Sequence, residues 1–403
     1  MAFSKFLLTF VLSFSVLAGD AQTRSATYYF EKGEESLKNK SYKTALAHFN
    51  ECLRLSPFYY DAYYSRGLVR EQMGDHQGAL TDFNIYLESD PEDKEVLFTR
   101  AVSRYNFGQW AMAKEDFLKL LSLPEGGETN TVYFQTGQAG DGTTRAFTAQ
   151  RHLKSTLYNY LGLIETKLKV PTKALLYYDS AITLEPTNSD YFLNRGLAYQ
   201  VMLDTVRAVR DYQQALSLNP ENSLAKHNLA LFFKGSDNLQ SEVLLSEAIE
   251  ANPKLPYSYA ERGLLRMKTK NLRGALDDYN QAVRLNPNEV DYWLNRGLIK
   301  EQLNDIPGAL ADYQQVIALK PDYEKGWLNH GNACVKLNRF ADAIEDYTVA
   351  ITYYPEYGLA YYNRCVAYHR LGKKAEACED LKHAQKLGIS VDSKMKTQIC
   401  ETK

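Results

Sequence analysis

The stretch DYWLNRGLIKEQLNDIPGALADYQQVIALKP, Asp291 to Pro321, decides how this chain is read. Its closing proline belongs to a series: Pro57, Pro91, Pro186, Pro220, Pro253, Pro287, Pro321 and Pro355. The steps Pro57 to Pro91, Pro186 to Pro220, and Pro253 through Pro287 and Pro321 to Pro355 are each thirty-four residues; Pro220 to Pro253 is thirty-three. With the proline counted as position thirty-two, glycine recurs at position eight, in Gly33, Gly67, Gly162, Gly196, Gly263, Gly297 and Gly331. Alanine recurs at position twenty, from Ala45 to Ala377, and Phe or Tyr at position twenty-four, as in Phe49, Phe83, Phe117, Tyr178, Tyr212, Tyr279, Tyr313 and Tyr347. A fixed period of this length marks a repeat array.

The physics of one unit is that of a helix hairpin. A small residue on each helix lets two backbones approach closely, aromatic and aliphatic residues at helical spacing fill the seam, and proline ends the second helix by removing a donor. Units opening YYSRG, YFLNRG, SYAERG, YWLNRG, WLNHG and YYNRC are followed by ALTDF, AVRDY, ALDDY, ALADY and AIEDY. This pattern resembles the tetratricopeptide repeat, in about ten copies that cover nearly all of the chain after its first residues. The resemblance implies an all-α fold, a right-handed superhelix whose first helices line a concave face. The sixth unit departs from the pattern, with Ala230 for glycine, Ser241 for alanine, Leu245 for the aromatic and one residue fewer, and is expected to be a loosened repeat. In the last unit Cys365 replaces the glycine, and the tail from Ile389 to Lys403 is expected to form a polar helix that caps the array.

Pro91 to Pro186 is ninety-five residues, two repeats plus twenty-seven, so the excess lies between Glu125 and Arg151. Alternation across TVYFQT, the Asp141-Gly142 turn pair and TTRAFT predict an inserted β-hairpin there. It either covers apolar surface between the third and fourth repeats or forms a lip of a binding surface, offering Tyr133, Phe134 and Phe147 to a partner. Its GQAGDG run lacks the ending of a phosphate-binding loop, and Asp141 alone does not make a calcium site.

At 403 residues, 45% hydrophobic and 24% charged, the chain can bury a large core, and a net charge of −2 provides no field for nucleic acid or an anionic membrane. Lys5, the apolar run Phe6 to Leu17 and the small residues Ala18, Gly19 and Ala21 are laid out as a secretory signal peptide, cleaved after Ala21. Twelve apolar residues fall short of the roughly twenty of a membrane-spanning helix. The expected organisation is a signal peptide over 1–21, three repeats over 22–124, the insertion over 125–151, repeats four to ten over 152–388 and a capping helix over 389–403. The expected location is an exported one, periplasmic or extracellular.

Asparagine recurs at position six, as Asn194, Asn228, Asn295, Asn329 and Asn363. On the concave face that the resemblance implies, these amides either hydrogen-bond the backbone of an extended peptide or satisfy neighbouring groups of the stack. Arg66, Arg100, Arg195, Arg262, Arg296 and Arg364 at position seven match Asp82, Asp116, Asp211, Asp278, Asp312 and Asp346 in spacing and are read as structural pairs. Chaperone-binding members of the resembled family clamp a terminal carboxylate with lysine at position five and asparagine at position nine. Leu193 and Leu197, Ala260 and Leu264, and Leu294 and Leu298 stand there instead, so that clamp is absent.

The sequence holds no HExxH, GxSxG or Cys/His/Asn arrangement, and the five cysteines are too sparse for a disulfide scaffold. Cys365, His369, Cys378 and His383 are the best metal candidates, and Cys365 with Cys378 the best disulfide candidate, but both cysteines sit at packing positions; neither is adopted. The reading is a non-enzymatic scaffold without cofactor or metal that binds extended or helical segments of other proteins. The second reading is an accessory subunit of a cell-envelope or secretion assembly.

Overall fold

The computed structural model describes residues 24–124, 133–135, 145–147 and 150–400. The segment read as a signal peptide lies outside them. The chain divides into two compact units, Met1–Met202 and Leu203–Lys403.

The first unit contains α1 (Ala26–Lys38), α2 (Tyr42–Leu55), α3 (Tyr60–Gln72), α4 (His76–Ser89), α5 (Lys94–Asn106), α6 (Trp110–Ser122), α7 (Gln150–Lys167), α8 (Pro171–Leu184) and α9 (Ser189–Val201). The second contains α10 (Thr205–Leu218), α11 (Ser223–Phe233), α12 (Asn238–Ala251), α13 (Pro256–Lys268), α14 (Leu272–Leu285), α15 (Val290–Gln302), α16 (Ile306–Leu319), α17 (Glu324–Lys336), α18 (Phe340–Tyr353), α19 (Gly358–Arg370), α20 (Lys374–Lys386) and α21 (Ser393–Cys400). Within each unit every helix packs on the helices before and after it, α1 on α2, α2 on α3 and onward, which is the neighbour-only packing of a solenoid. The fold is all-α.

Of the expected β-hairpin, the described residues are β1 (Tyr133–Gln135) and β2 (Arg145–Phe147), paired antiparallel with Tyr133 opposite Phe147 and Gln135 opposite Arg145. The segment between them lies outside the described residues, and a pair this short is not an independent layer. The helix α7 starts at Gln150, inside the range expected for the insertion.

One turn shows how the sequence makes a hairpin. The helix α15 ends at Gln302 with Leu303 as its cap, and Asn304 takes φ +67°, the left-handed conformation that asparagine tolerates. The Asn304 N–H donates to the Glu301 carbonyl at 3.0 Å and the Asp305 N–H to the Lys300 carbonyl at 2.8 Å, closing the first helix. Asp305 also starts the next helix, its side chain accepting from the Gly308 N–H at 2.9 Å. The far end of α16 stops because Pro321 disfavours helical backbone at Lys320, which takes φ −143° and ψ 84°.

The seam between paired helices is dense. Phe49, Phe83, Phe117, Tyr178, Tyr279, Tyr313 and Tyr347 are fully buried, and the alanine of each second helix is sealed beside them. A Cβ on Gly297 would lie 2.6 Å from Tyr313 Cε1 and one on Gly331 2.6 Å from Tyr347 Cε1, so the glycine is required by the ring that crosses it.

The C-terminal helix is not uniformly polar. Ile399 is buried against Leu381, Cys365 and Ala377, and Tyr362 Oη meets Met395 Sδ at 3.5 Å. A disulfide joins Cys378 on α20 to Cys400 on α21. The pairing considered from sequence, Cys365 with Cys378, is therefore incorrect. Cys365 is a free, buried thiol that occupies the glycine position of the seam. The sixth unit is also not the loosened repeat expected: Leu244, Leu245, Ala248 and Ile249 are buried, and Ser241 Oγ donates to the Ala230 carbonyl at 2.9 Å.

Candidate functional site

The buried aspartate of each second helix organises the polar side of the hairpin. Arg296 donates to Asp312 through Nη2 at 2.7 Å and Nε at 2.9 Å, and Lys300, one turn later, reaches the same carboxylate at 2.8 Å. Arg66 and Arg70 meet Asp82 in this way, as do Arg100 and Arg104 with Asp116 and Arg262 and Arg266 with Asp278. Arg364 pairs with Asp380. The first arginine also turns back to the preceding repeat, Arg296 to Asn280, Arg100 to Asn84, Arg262 to Ser246 and Arg364 to Thr348. One guanidinium thus fixes two neighbouring second helices at once, which helps set register in a stack whose repeats contact only their neighbours. Burial raises the Asp278 pKa in spite of its arginines, so desolvation offsets much of the attraction.

The position-six asparagines separate into two groups. Asn194 donates to Asn159 at 2.9 Å and Asn363 to Asn332 at 2.8 Å, each on the preceding repeat's first helix, and Tyr347 Oη shares Asn332. Asn228, Asn295 and Asn329, on α11, α15 and α17 of the second unit, are half-buried, and their amides have no hydrogen-bond partner among the described residues. Leu193 and Leu294, at the position where a clamp lysine would stand, are buried in the core, while Leu197, Ala260, Leu264 and Leu298 are half-buried. The described residues stop at the backbone of Tyr133, Phe134 and Phe147.

Cys378 is held in its disulfide, so Cys365, His369, Cys378 and His383 do not form a four-ligand metal site. His383 stacks on Tyr361 with ring centroids 5.3 Å apart, and His369 Nδ1 is buried without a partner. Burial pushes the thiols of Cys334 and Cys365 up, to about 11 and about 12, which keeps them protonated near neutrality. His227 lies buried with Nδ1 3.0 Å from Ser258 Oγ, and burial holds its pKa down to about 4. The described residues bring together one further set that sequence reading missed: His330, Cys334 and Asp346. Its signal was present, since histidine and cysteine stand at the two positions that hold cations in other repeats.

The "Tetratricopeptide repeat" family model matches residues 30–94 and 261–324, and the "TPR repeat" model matches residues 331–372. The chain thus carries tetratricopeptide repeats over these residues. Among curated relatives, the human Protein O-mannosyl-transferase TMTC3 is 26% identical over 255 residues, which cover 60% of this chain and 28% of that protein. The DnaJ protein P58IPK homolog of Arabidopsis thaliana is 26% identical over 238 residues, 56% of this chain and 45% of that protein. The chain spans less than half the length of either relative. The solved structure of YrrB, described as a TPR protein with an unusual peptide-binding site, is 19% identical with a TM-score of 0.42, covering 45% of this chain and 95% of that one.

Proposed function

We propose that this chain is a non-enzymatic scaffold of an exported compartment that holds extended or helical segments of partner proteins against the first helices of its repeats. Tetratricopeptide repeats in general mediate protein–protein interaction. The observation that carries the reading is the trio Asn228, Asn295 and Asn329: half-buried amides, two of them on consecutive repeats, without a hydrogen-bond partner among the described residues. An amide offers a donor and an acceptor to a peptide backbone, and packed helices, α15 among them with its Arg296–Asp312 pair, hold it in place before binding, so little ordering entropy opposes association. The aromatic residues of the insertion, Tyr133, Phe134 and Phe147, are a second candidate contact for a partner. Export is supported by the arrangement of residues 1–21 and by the Cys378–Cys400 disulfide, which persists in an oxidising compartment.

The test is recovery of partners from an envelope fraction by the full chain, by an Asn295→Ala/Asn329→Ala variant and by a variant lacking 126–149. The asparagine variant is expected to lose partners with its melting temperature unchanged, and the deletion to recover fewer of them. Undiminished recovery by the asparagine variant would remove the amides from the reading. Loss of folding in that variant would show that they serve the stack.

A further inference from the structure

The hairpin α17–α18 keeps the buried carboxylate of the repeat and loses both of its cations. In α15–α16 Asp312 faces Arg296 and Lys300; in α17–α18 the corresponding carboxylate, Asp346, faces His330 and, one turn later, Cys334. His330 Nδ1 lies 2.7 Å from Asp346 Oδ2 and 3.9 Å from Cys334 Sγ, and the three donor atoms all fall within 4.8 Å of one another. Cys334 is fully buried and Asp346 is 7% exposed, while His330 is half-buried and open to the surface on one side. Arg339, at the start of α18, is engaged by Asp342 at 2.6 Å. A carboxylate that two fixed positive charges neutralise in four other hairpins is left here with one titratable imidazole, beside a thiol.

An imidazole nitrogen, a sulfur and a carboxylate oxygen converging from two helices form the donor set of a borderline-soft divalent cation. We propose that His330, Cys334 and Asp346 bind a divalent transition metal of the zinc class, with water in the fourth tetrahedral position. Bonds of roughly 2.0 to 2.3 Å to a tetrahedral ion place ligand atoms about 3.3 to 3.8 Å apart. The sulfur–nitrogen pair is already near that spacing, and a small rotation of the Asp346 carboxylate opens the other. The cation takes the electrostatic place of the missing arginine and lysine, and the Cys334 thiol releases its proton to solvent as the metal–sulfur bond forms. The closed register of the hairpin, held by the small residues Gly331 and Ala343 against Tyr347, fixes the three donors before the ion arrives.

The experiment titrates cobalt(II), and then zinc against a chromophoric chelator, into the full chain stripped of metal. The expected result is a thiolate-to-cobalt charge-transfer absorption that saturates at one equivalent. Cys334→Ser is expected to abolish that absorption. His330→Arg restores the ion pair of the neighbouring repeats and so preserves the hairpin; it is expected to weaken zinc binding by about 100-fold or more. Absence of the charge-transfer signal in the unaltered chain, its survival in Cys334→Ser, or equal zinc affinity in His330→Arg would each overturn the proposal. The last result would leave His330 and Asp346 as an ordinary ion pair.

Discussion

In α15–α16, Gly297 yields its space to Tyr313, and the charge of Asp312 is met by Arg296 and Lys300. In α11–α12 each of these positions is different: Ala230 stands for the glycine, Leu245 for the tyrosine, Leu244 for the aspartate, and Leu229 and Phe233 for the two cations. Leu229, Leu244 and Leu245 are all buried, so the second hairpin closes as completely as the first. The changes form a matched set. A shorter side chain at the aromatic position makes room for a methyl group opposite, and loss of the carboxylate removes the need for its cations. Burying an ion network costs desolvation that its attraction barely offsets, so the apolar version is no weaker in principle. What it gives up is direction: Arg296 also grips Asn280 of the preceding repeat, and Leu229 has nothing equivalent to offer. Register around the sixth repeat is supplied instead by Lys234 with Glu261, Arg266 with Glu242, and His227 with Ser258.

The largest expected effect breaks the ionic version halfway. Asp312→Leu alone strands Arg296 and Lys300 near a buried seam and is expected to cost about 3–5 kcal/mol, read as a fall in melting temperature and faster amide exchange in α15 and α16. Adding Arg296→Leu and Lys300→Phe, which copies the sixth repeat, is expected to recover most of that loss. If the triple variant is as unstable as the single one, attraction within the network outweighs desolvation and the equivalence of the two hairpins fails.

That network was legible from sequence because arginine and aspartate each recur at one position per repeat, sixteen residues apart, and a periodic structure turns equal spacing into equal geometry. The same logic made the glycine and its facing ring readable. It failed where a partner sits at a different position in each case: Asn194 bonds Asn159, at position five, whereas Asn363 bonds Asn332, at position nine. It failed again at the end of the array, where α21 follows no period and only its placement against α20 brings Cys400 to Cys378. For the sixth repeat, reading each departure singly suggested looseness. Only the seam shows that Ala230 and Leu245 change together.

A smaller effect comes from overfilling the regular seam. Gly297→Leu drives a branched side chain into the Tyr313 ring, and a loss of about 1–3 kcal/mol is expected, measured by thermal unfolding. Repeat six should respond differently to the same kind of enlargement, since Leu245 stands there in place of the ring. A Gly297→Leu variant as stable as the parent would mean that the ring at Tyr313 moves freely, and the tight contact would then not be the reason for the glycine.

The smallest effect sharpens the comparison by running it backwards. Ala230→Gly installs in the sixth repeat the residue that the others require, yet here no ring crosses the site to use the space. The variant loses a buried methyl group and increases the entropy lost when α11 folds, so it is expected to be less stable by roughly 0.5–1 kcal/mol. The Ser241 hydroxyl keeps its acceptor, because the carbonyl it binds belongs to the backbone of residue 230. Local amide exchange in α11 and α12 is the suitable measurement, since a change this small is diluted in the unfolding of the whole array. An Ala230→Gly variant more stable than the parent would show that the sixth repeat retains the common seam and merely tolerates its alanine, and the matched-set account of that hairpin would have to be abandoned.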